Sequence, residues 1–155
     1  MYKKLKVSLV IPAHNEERLI VPTLKNVPKT IDKIYVIDDA SRDSTCQVVR
    51  DLAIKDKRIT LIRHFVNKGP GNAIITGYKQ SSKDNYDVAV VIGGDNQMDL
   101  ADLPGFLEPF VKNEADYVKG NRFIGPGSAF KVMPGKRFFG NSILSLLSKF
   151  SSGYW

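Results

Sequence analysis

The chain has 155 residues, 43% of them hydrophobic and 25% charged, and a formal net charge of +7. That length suits one α/β domain with a good core rather than two ordinary ones, and the composition excludes a disordered or membrane-spanning chain. Cys46 is the only cysteine, which excludes an internal disulfide or a cysteine-based zinc site and fits a reducing, cytoplasmic compartment.

Met1 to Lys6 leads straight into Val7–Ile11, an apolar run read as a first strand ended by Pro12; no leader is read there, and no apolar run anywhere reaches transmembrane length. Pro12-Ala13-His14-Asn15-Glu16-Glu17 then forms a polar loop at the strand's carboxyl end. A lone histidine is more often a loop residue than a base, and His14 is read so. Pro22 suits the first turn of a helix, which is expected over 22–27, before Pro28. Ile34–Ile37 is a second buried strand, followed at once by Asp38, Asp39 and Asp43 within six residues. Packed carboxylates repel one another unless a cation or donors offset them, so the cluster is a candidate ligand site. Asp43 is assigned to capping the next helix, whose apolar face is Val48, Val49, Leu52 and Ala53; Asp38 and Asp39 are the functional candidates.

Ile59–Arg63 reads as a third strand, and Asn67–Ala73 as the opening of a helix over about 70–82. The glycines there do not make a dinucleotide fingerprint, because Gly-x-Gly-x-x-Gly needs glycine where Ile74 stands. That helix N-terminus, with Gly71, can still face a diphosphate. Val88–Ile92 is read as a strand covered on both faces; it stops at Gly93 and Gly94 and then presents Asp95. In open parallel sheets ligands bind just beyond such strand ends, and a divalent cation on a nucleotide's phosphates takes hard oxygen ligands. The plainer alternative for this stretch is a helix-capping aspartate.

A helix from 101 to about 112 and a short strand over 116–119 follow. From Tyr117 to Trp155 there are six basic residues (Lys119, Arg122, Lys131, Lys136, Arg137, Lys149) and no acid, which points that end toward phosphate, an acidic membrane surface or nucleic acid. A loop rich in Gly, Pro and Ser over 125–135 has the composition of a lid. The last element, 136–150, carries a broad apolar face and reads as a helix packed on the core, with a membrane-interface helix as the alternative.

Four segments together resemble the catalytic half of inverting family-2 glycosyltransferases of the GT-A fold, dolichol-phosphate mannosyltransferases and other polyprenyl-phosphate glycosyltransferases above all. They are Val-Ile-Pro-Ala-His-Asn-Glu-Glu at 10–17, Asp-Asp-Ala-Ser-Arg-Asp at 38–43, Asn-Lys-Gly-Pro-Gly-Asn-Ala at 67–73 and Gly-Asp-Asn-Gln-Met-Asp at 94–99. The resemblance implies one α/β domain over 1–155 with a mostly parallel sheet, cut short at its carboxyl end. It implies that Pro12, Asn15, Glu16, Asp38, Asp39, Gly71 and Gln97 line the nucleotide-sugar and that Asp95 holds Mg²⁺ or Mn²⁺. It also implies that Arg122 and Arg137 bind the acceptor's phosphate, their forks suiting a phosphate monoester. One departure is Gly93, which stands where the family's Asp-x-Asp has its first carboxylate.

The implied reaction moves a sugar from a GDP-mannose or UDP-glucose type of donor to a polyprenyl (dolichyl) phosphate, with inversion, at the cytoplasmic face of a membrane. A phosphate acceptor is already anionic and needs no general base. A saccharide acceptor would need a carboxylate base, and the acid-free stretch from Tyr117 supplies none. A nucleotide-binding module without catalysis is the reading from a different class; nucleic-acid binding is not expected, for want of a recognisable motif.

Overall fold

In a computed structural model, residues 1–120 are described, and the fold below is that of the compact unit Met1–Asp116. Its elements run β1 (Val7–Ala13), α1 (Ile20–Lys25), β2 (Lys33–Asp39), α2 (Thr45–Lys55), β3 (Ile59–His64), α3 (Gly69–Lys83), β4 (Val88–Val91), a 3-10 turn (Leu100–Asp102) and α4 (Leu103–Val111). The strands form one parallel sheet in the order β3-β2-β1-β4. Because all four are parallel, their carboxyl ends share one edge.

Alternation of side chains along the strands divides the core in two. Val7, Leu9, Ile11 and Ala13 of β1, with Ile34 and Val36 of β2, face Ile20 and Leu24 of α1, Val49 of α2, and Leu103 and Leu107 of α4. On the other face Val10, Tyr35 and Ile37 meet Ala73 of α3. Full burial of each such aliphatic side chain contributes about 1.5–3 kcal/mol relative to exposure, so β1 and β2 carry the sheet.

α3 approaches β1 closely enough that a Cβ on Gly77 would lie 2.2 Å from Val10 Cγ1. Val10 is β-branched and fully buried, so it has no free rotamer to retreat into. Gly77→Ala therefore destabilises the fold by about 1–3 kcal/mol, despite alanine's better helix propensity; urea denaturation measures it, and an unchanged midpoint would contradict the packing.

The expected elements up to α4 are all present, with three differences. β1 continues through Pro12 to Ala13. β4 pairs with β1 only as far as Val10↔Val91, so the N–H that proline lacks falls where no strand neighbours it on that side. Next, β4 lies at the edge of the described sheet: its side chains still pack on both faces, Val88 and Val90 on one core cluster and Val91 on the other, but three of its four residues are only half-buried. The most deeply buried strands are β1 and β2, which have a neighbour on each side. Finally, residues 116–119 form no strand. They have no partner among the described residues, and Tyr117 is exposed; a strand needs a ladder as well as a composition. Arg122, Arg137, the 125–135 loop and the 136–150 helix lie outside the described residues.

Candidate nucleotide site

The loops leaving β1 and β2 are stitched together across the shared edge. Asn15 N–H donates to Ser41 Oγ (3.0 Å), and Asn15 Oδ1 accepts from Arg42 N–H (2.9 Å). Glu16 N–H donates to Thr45 Oγ1 (2.8 Å), Glu17 N–H to Asp43 Oδ2 (3.2 Å), and Glu17 Oε2 accepts from Ser44 N–H (3.0 Å). Asp43 Oδ1 takes the Thr45 N–H (3.0 Å), the first amide of α2, from one position before the cap; the cap residue itself is Ser44, which makes no side-chain cap bond. Asn15, Ala40 and Asn96 all hold left-handed backbone at this edge, with φ of 57°, 57° and 55°. For alanine that conformation costs about 1–2 kcal/mol, and such strain gathers where structure serves binding.

The two adjacent aspartates part company because strand neighbours face opposite ways. Asp39 points to the α3 face. It accepts from Gly69 N–H (2.7 Å), from Lys68 N–H (3.0 and 3.1 Å) and from His64 Nδ1–H (2.6 Å). His64 Nε2 in turn meets Thr76 Oγ1 at 3.0 Å. Burial pushes the Asp39 carboxyl up, but the Lys68 amide, His64 and the Gly69 amide outweigh it and hold the group below the usual aspartate range. Asp39 is only 3% exposed and both of its oxygens are engaged. In this arrangement it closes the β3–α3 turn. Asp38 points the other way and is fully buried. Its Oδ1 accepts from Ser41 N–H (3.2 Å), while Oδ2 has no hydrogen-bond partner, although Arg63 Nε stands 3.3 Å away. His14 Nδ1–H donates to the Asp39 carbonyl (2.8 Å), a loop role as expected.

At the end of β4, Gly94 C=O accepts from Thr23 Oγ1 (3.0 Å). A Cβ on Gly94 would stand 3.4 Å from Pro12 O and 3.5 Å from Glu16 Cγ, so Pro12, Glu16 and this turn are in contact distance. Asp95 Oδ1 accepts from Gln97 N–H (3.2 Å). The capping role falls to Asp99, which accepts from Ala101 N–H (2.9 Å). Burial raises the pKa of Glu16, and the charges of Asp95 and Asp43 raise it further; the corner is thus electrostatically short of positive charge. Among the described residues no group of three or more His, Cys, Asp or Glu is placed to hold a metal. Gly71 lies exposed in the first turn of α3 with open space at its Cα.

A cavity of about 540 Å³ opens at the same edge, lined by Asn15, Arg42, Arg63, Phe65 and Asn67 among others. Arg42, Arg63, His64, Phe65 and Thr45 were not singled out from the sequence as site residues. Strand parity held the signal for two of them: Arg63 is in register with Asp38 and His64 with Asp39.

A parallel α/β sheet whose β1, β2 and β4 loops gather carboxylates at one edge is the architecture of the GT-A nucleotide-diphospho-sugar domain. The chain belongs to Glycosyl transferase family 2, whose family profile matches residues 8–154. It is 32% identical to the UDP-N-acetylglucosamine–dolichyl-phosphate N-acetylglucosaminyltransferase of Methanococcus voltae, over 96% of this chain and 64% of that protein. It is 31% identical to the dolichol-phosphate mannosyltransferase of Pyrococcus furiosus, over 79% of this chain and 35% of that protein. A mannosyltransferase from Pyrobaculum calidifontis, solved with GDP-Man and Mn²⁺, superposes with a TM-score of 0.52 at 24% identity, over 59% of this chain and 28% of that one. The chain thus spans about a third to two thirds of the length of these curated relatives.

Proposed function

We propose that the chain carries the donor-binding part of a glycosyltransferase that moves a sugar from a nucleoside-diphosphate sugar to a polyprenyl phosphate with inversion. The observation behind this reading is that Asn15 and Glu16 after β1, Asp95 and Gln97 after β4, and a 540 Å³ cavity that Asn15 lines all lie beyond the carboxyl ends of one parallel sheet. The named activities of the relatives support it: two of them act on dolichyl phosphate. No described helix is long and apolar enough to cross a membrane; the acceptor lipid would be met at a membrane surface.

The residues fit a divalent metal that arrives with its diphosphate. Asp95 supplies one hard carboxylate, the Glu16 corner is negatively charged, and magnesium-type sites draw their remaining ligands from substrate phosphates and water. When bound, Mg²⁺ or Mn²⁺ offsets charge on the leaving diphosphate. The backbone amides of Asn15 and Glu16 donate to Ser41 Oγ and Thr45 Oγ1, which fixes this loop so that it presents to the nucleotide without reorganising. Gln97 is exposed beside Asp95 and faces the sugar in this reading. The acceptor phosphate attacks the anomeric carbon from the side opposite the diphosphate and is already anionic, so no residue need remove a proton. Arg122 and Arg137 are assigned to that phosphate.

The test is transfer of labelled sugar from GDP-mannose, UDP-glucose and UDP-N-acetylglucosamine to a short-chain polyprenyl phosphate, with Mn²⁺, with Mg²⁺ and with chelator. Metal-dependent, lipid-soluble product is expected with one donor; nucleotide binding without product would favour the non-catalytic module.

The missing carboxylate at Gly93 has its own test. A Cβ there would stand 2.8 Å from Asp95 Oδ1, at the movable end of a half-buried side chain. Gly93→Asp is therefore expected to fold normally and to tighten Mn²⁺-dependent nucleotide binding several-fold. Weaker binding would mean that the glycine makes room for Asp95.

A further inference from the structure

We propose that the cavity beside Phe65 is a guanine site, so that the donor is a GDP-sugar; this rests on the nucleotide-site reading above and names its base. The Phe65 ring is 95% exposed and forms part of the cavity wall. A bare phenyl ring beside an open cavity is a stacking platform for a planar base.

Two guanidinium groups, Arg42 and Arg63, line the same cavity. Arg63 is tethered from behind, its Nε 3.3 Å from the fully buried Oδ2 of Asp38, while its side chain remains 47% exposed. Its two Nη groups make no hydrogen bond among the described residues, so they are free to donate. A guanidinium fork needs two adjacent acceptors. Guanine provides them at O6 and N7 and cytosine at O2 and N3, whereas adenine sets an amino donor beside N7; of the first two, the double ring of guanine covers more of the Phe65 face. Uracil alternates acceptor, donor, acceptor around N3–H and satisfies only one arm of the fork. Phosphate would also suit two arginines, but it would leave Phe65 and its neighbour Val66, itself 67% exposed, uncovered.

Isothermal titration of the chain in Mn²⁺ with GDP, UDP and 7-deaza-GDP tests this, since the three share one diphosphate. Tenfold or greater preference for GDP over UDP is expected, with about a tenfold loss when N7 is removed. Phe65→Ala changes no packed contact and should weaken GDP about five- to a hundredfold with an unchanged melting temperature. Arg63→Gln should erase the distinction between GDP and 7-deaza-GDP. Equal or tighter binding of UDP, or indifference to N7, overturns the guanine site while leaving the nucleotide reading in place. Binding of none of the three overturns both.

Discussion

Asp39→Asn lowers the stability of the folded domain by about 1–3 kcal/mol, the range expected when a buried hydrogen-bonding group is left without its partner. The amide cannot accept from His64, Lys68 and Gly69 together, so at least one buried donor loses its partner. Asp38→Asn is the contrasting variant. Its Oδ2 has no hydrogen bond to lose, and Arg63, which faces it at 3.3 Å, stays half exposed to water, so a smaller change, within about 1 kcal/mol, is expected. Chemical denaturation of the pair checks the contrast; equal losses would mean that the two carboxylates do the same work. The effect of Asp39 also depends on pH. Its folded carboxyl, like that of Asp43, sits below the usual range. The stabilisation is therefore present above the ordinary aspartate pKa and lost as pH falls below about 4. A melting curve of Asp39→Asn should accordingly fall less steeply in acid than that of the wild type.

Asp95→Ala should remove metal-dependent nucleotide binding and slow sugar transfer by about a hundredfold or more, since a metal on a leaving diphosphate is worth several kcal/mol. The fold should not register the change: Asp95 is partly exposed and its hydrogen-bonding partner is the exposed Gln97 amide. Nucleotide titrations in Mn²⁺ and in chelator, beside a circular dichroism spectrum, separate the two readouts. Retained metal dependence in the variant would place the cation elsewhere.

The strands were legible because β-branched runs such as Ile34–Ile37 have few other homes, and the four motifs all fall at or beside strand ends. What the residues did not disclose is which strand is central. Val88–Ile92 is at least as apolar as β1, yet it occupies the edge of the described sheet; centrality is a property of pairing partners, and a run of apolar residues carries no record of them. The aspartate cluster hid its geometry in a different way. Adjacent carboxylates look equivalent in a string, but parity sends Asp39 toward the α3 N-terminus and Asp38 toward Arg63. His64 escaped notice because its importance comes from a partner on the neighbouring strand, 25 residues away in sequence. Phe65 escaped because an exposed aromatic residue is distinguished only by the cavity beside it.

The cross-bonded loops after β1 and β2 also carry a dynamic consequence. The amides of Asn15, Glu16, Glu17, Arg42 and Ser44 each end on a side chain of the other loop. Displacing either loop strains all five together. In hydrogen exchange these five amides should therefore open in one event with one free energy, while those of the α4 region follow a schedule of their own. Nucleotide bound at either loop would slow all five at once.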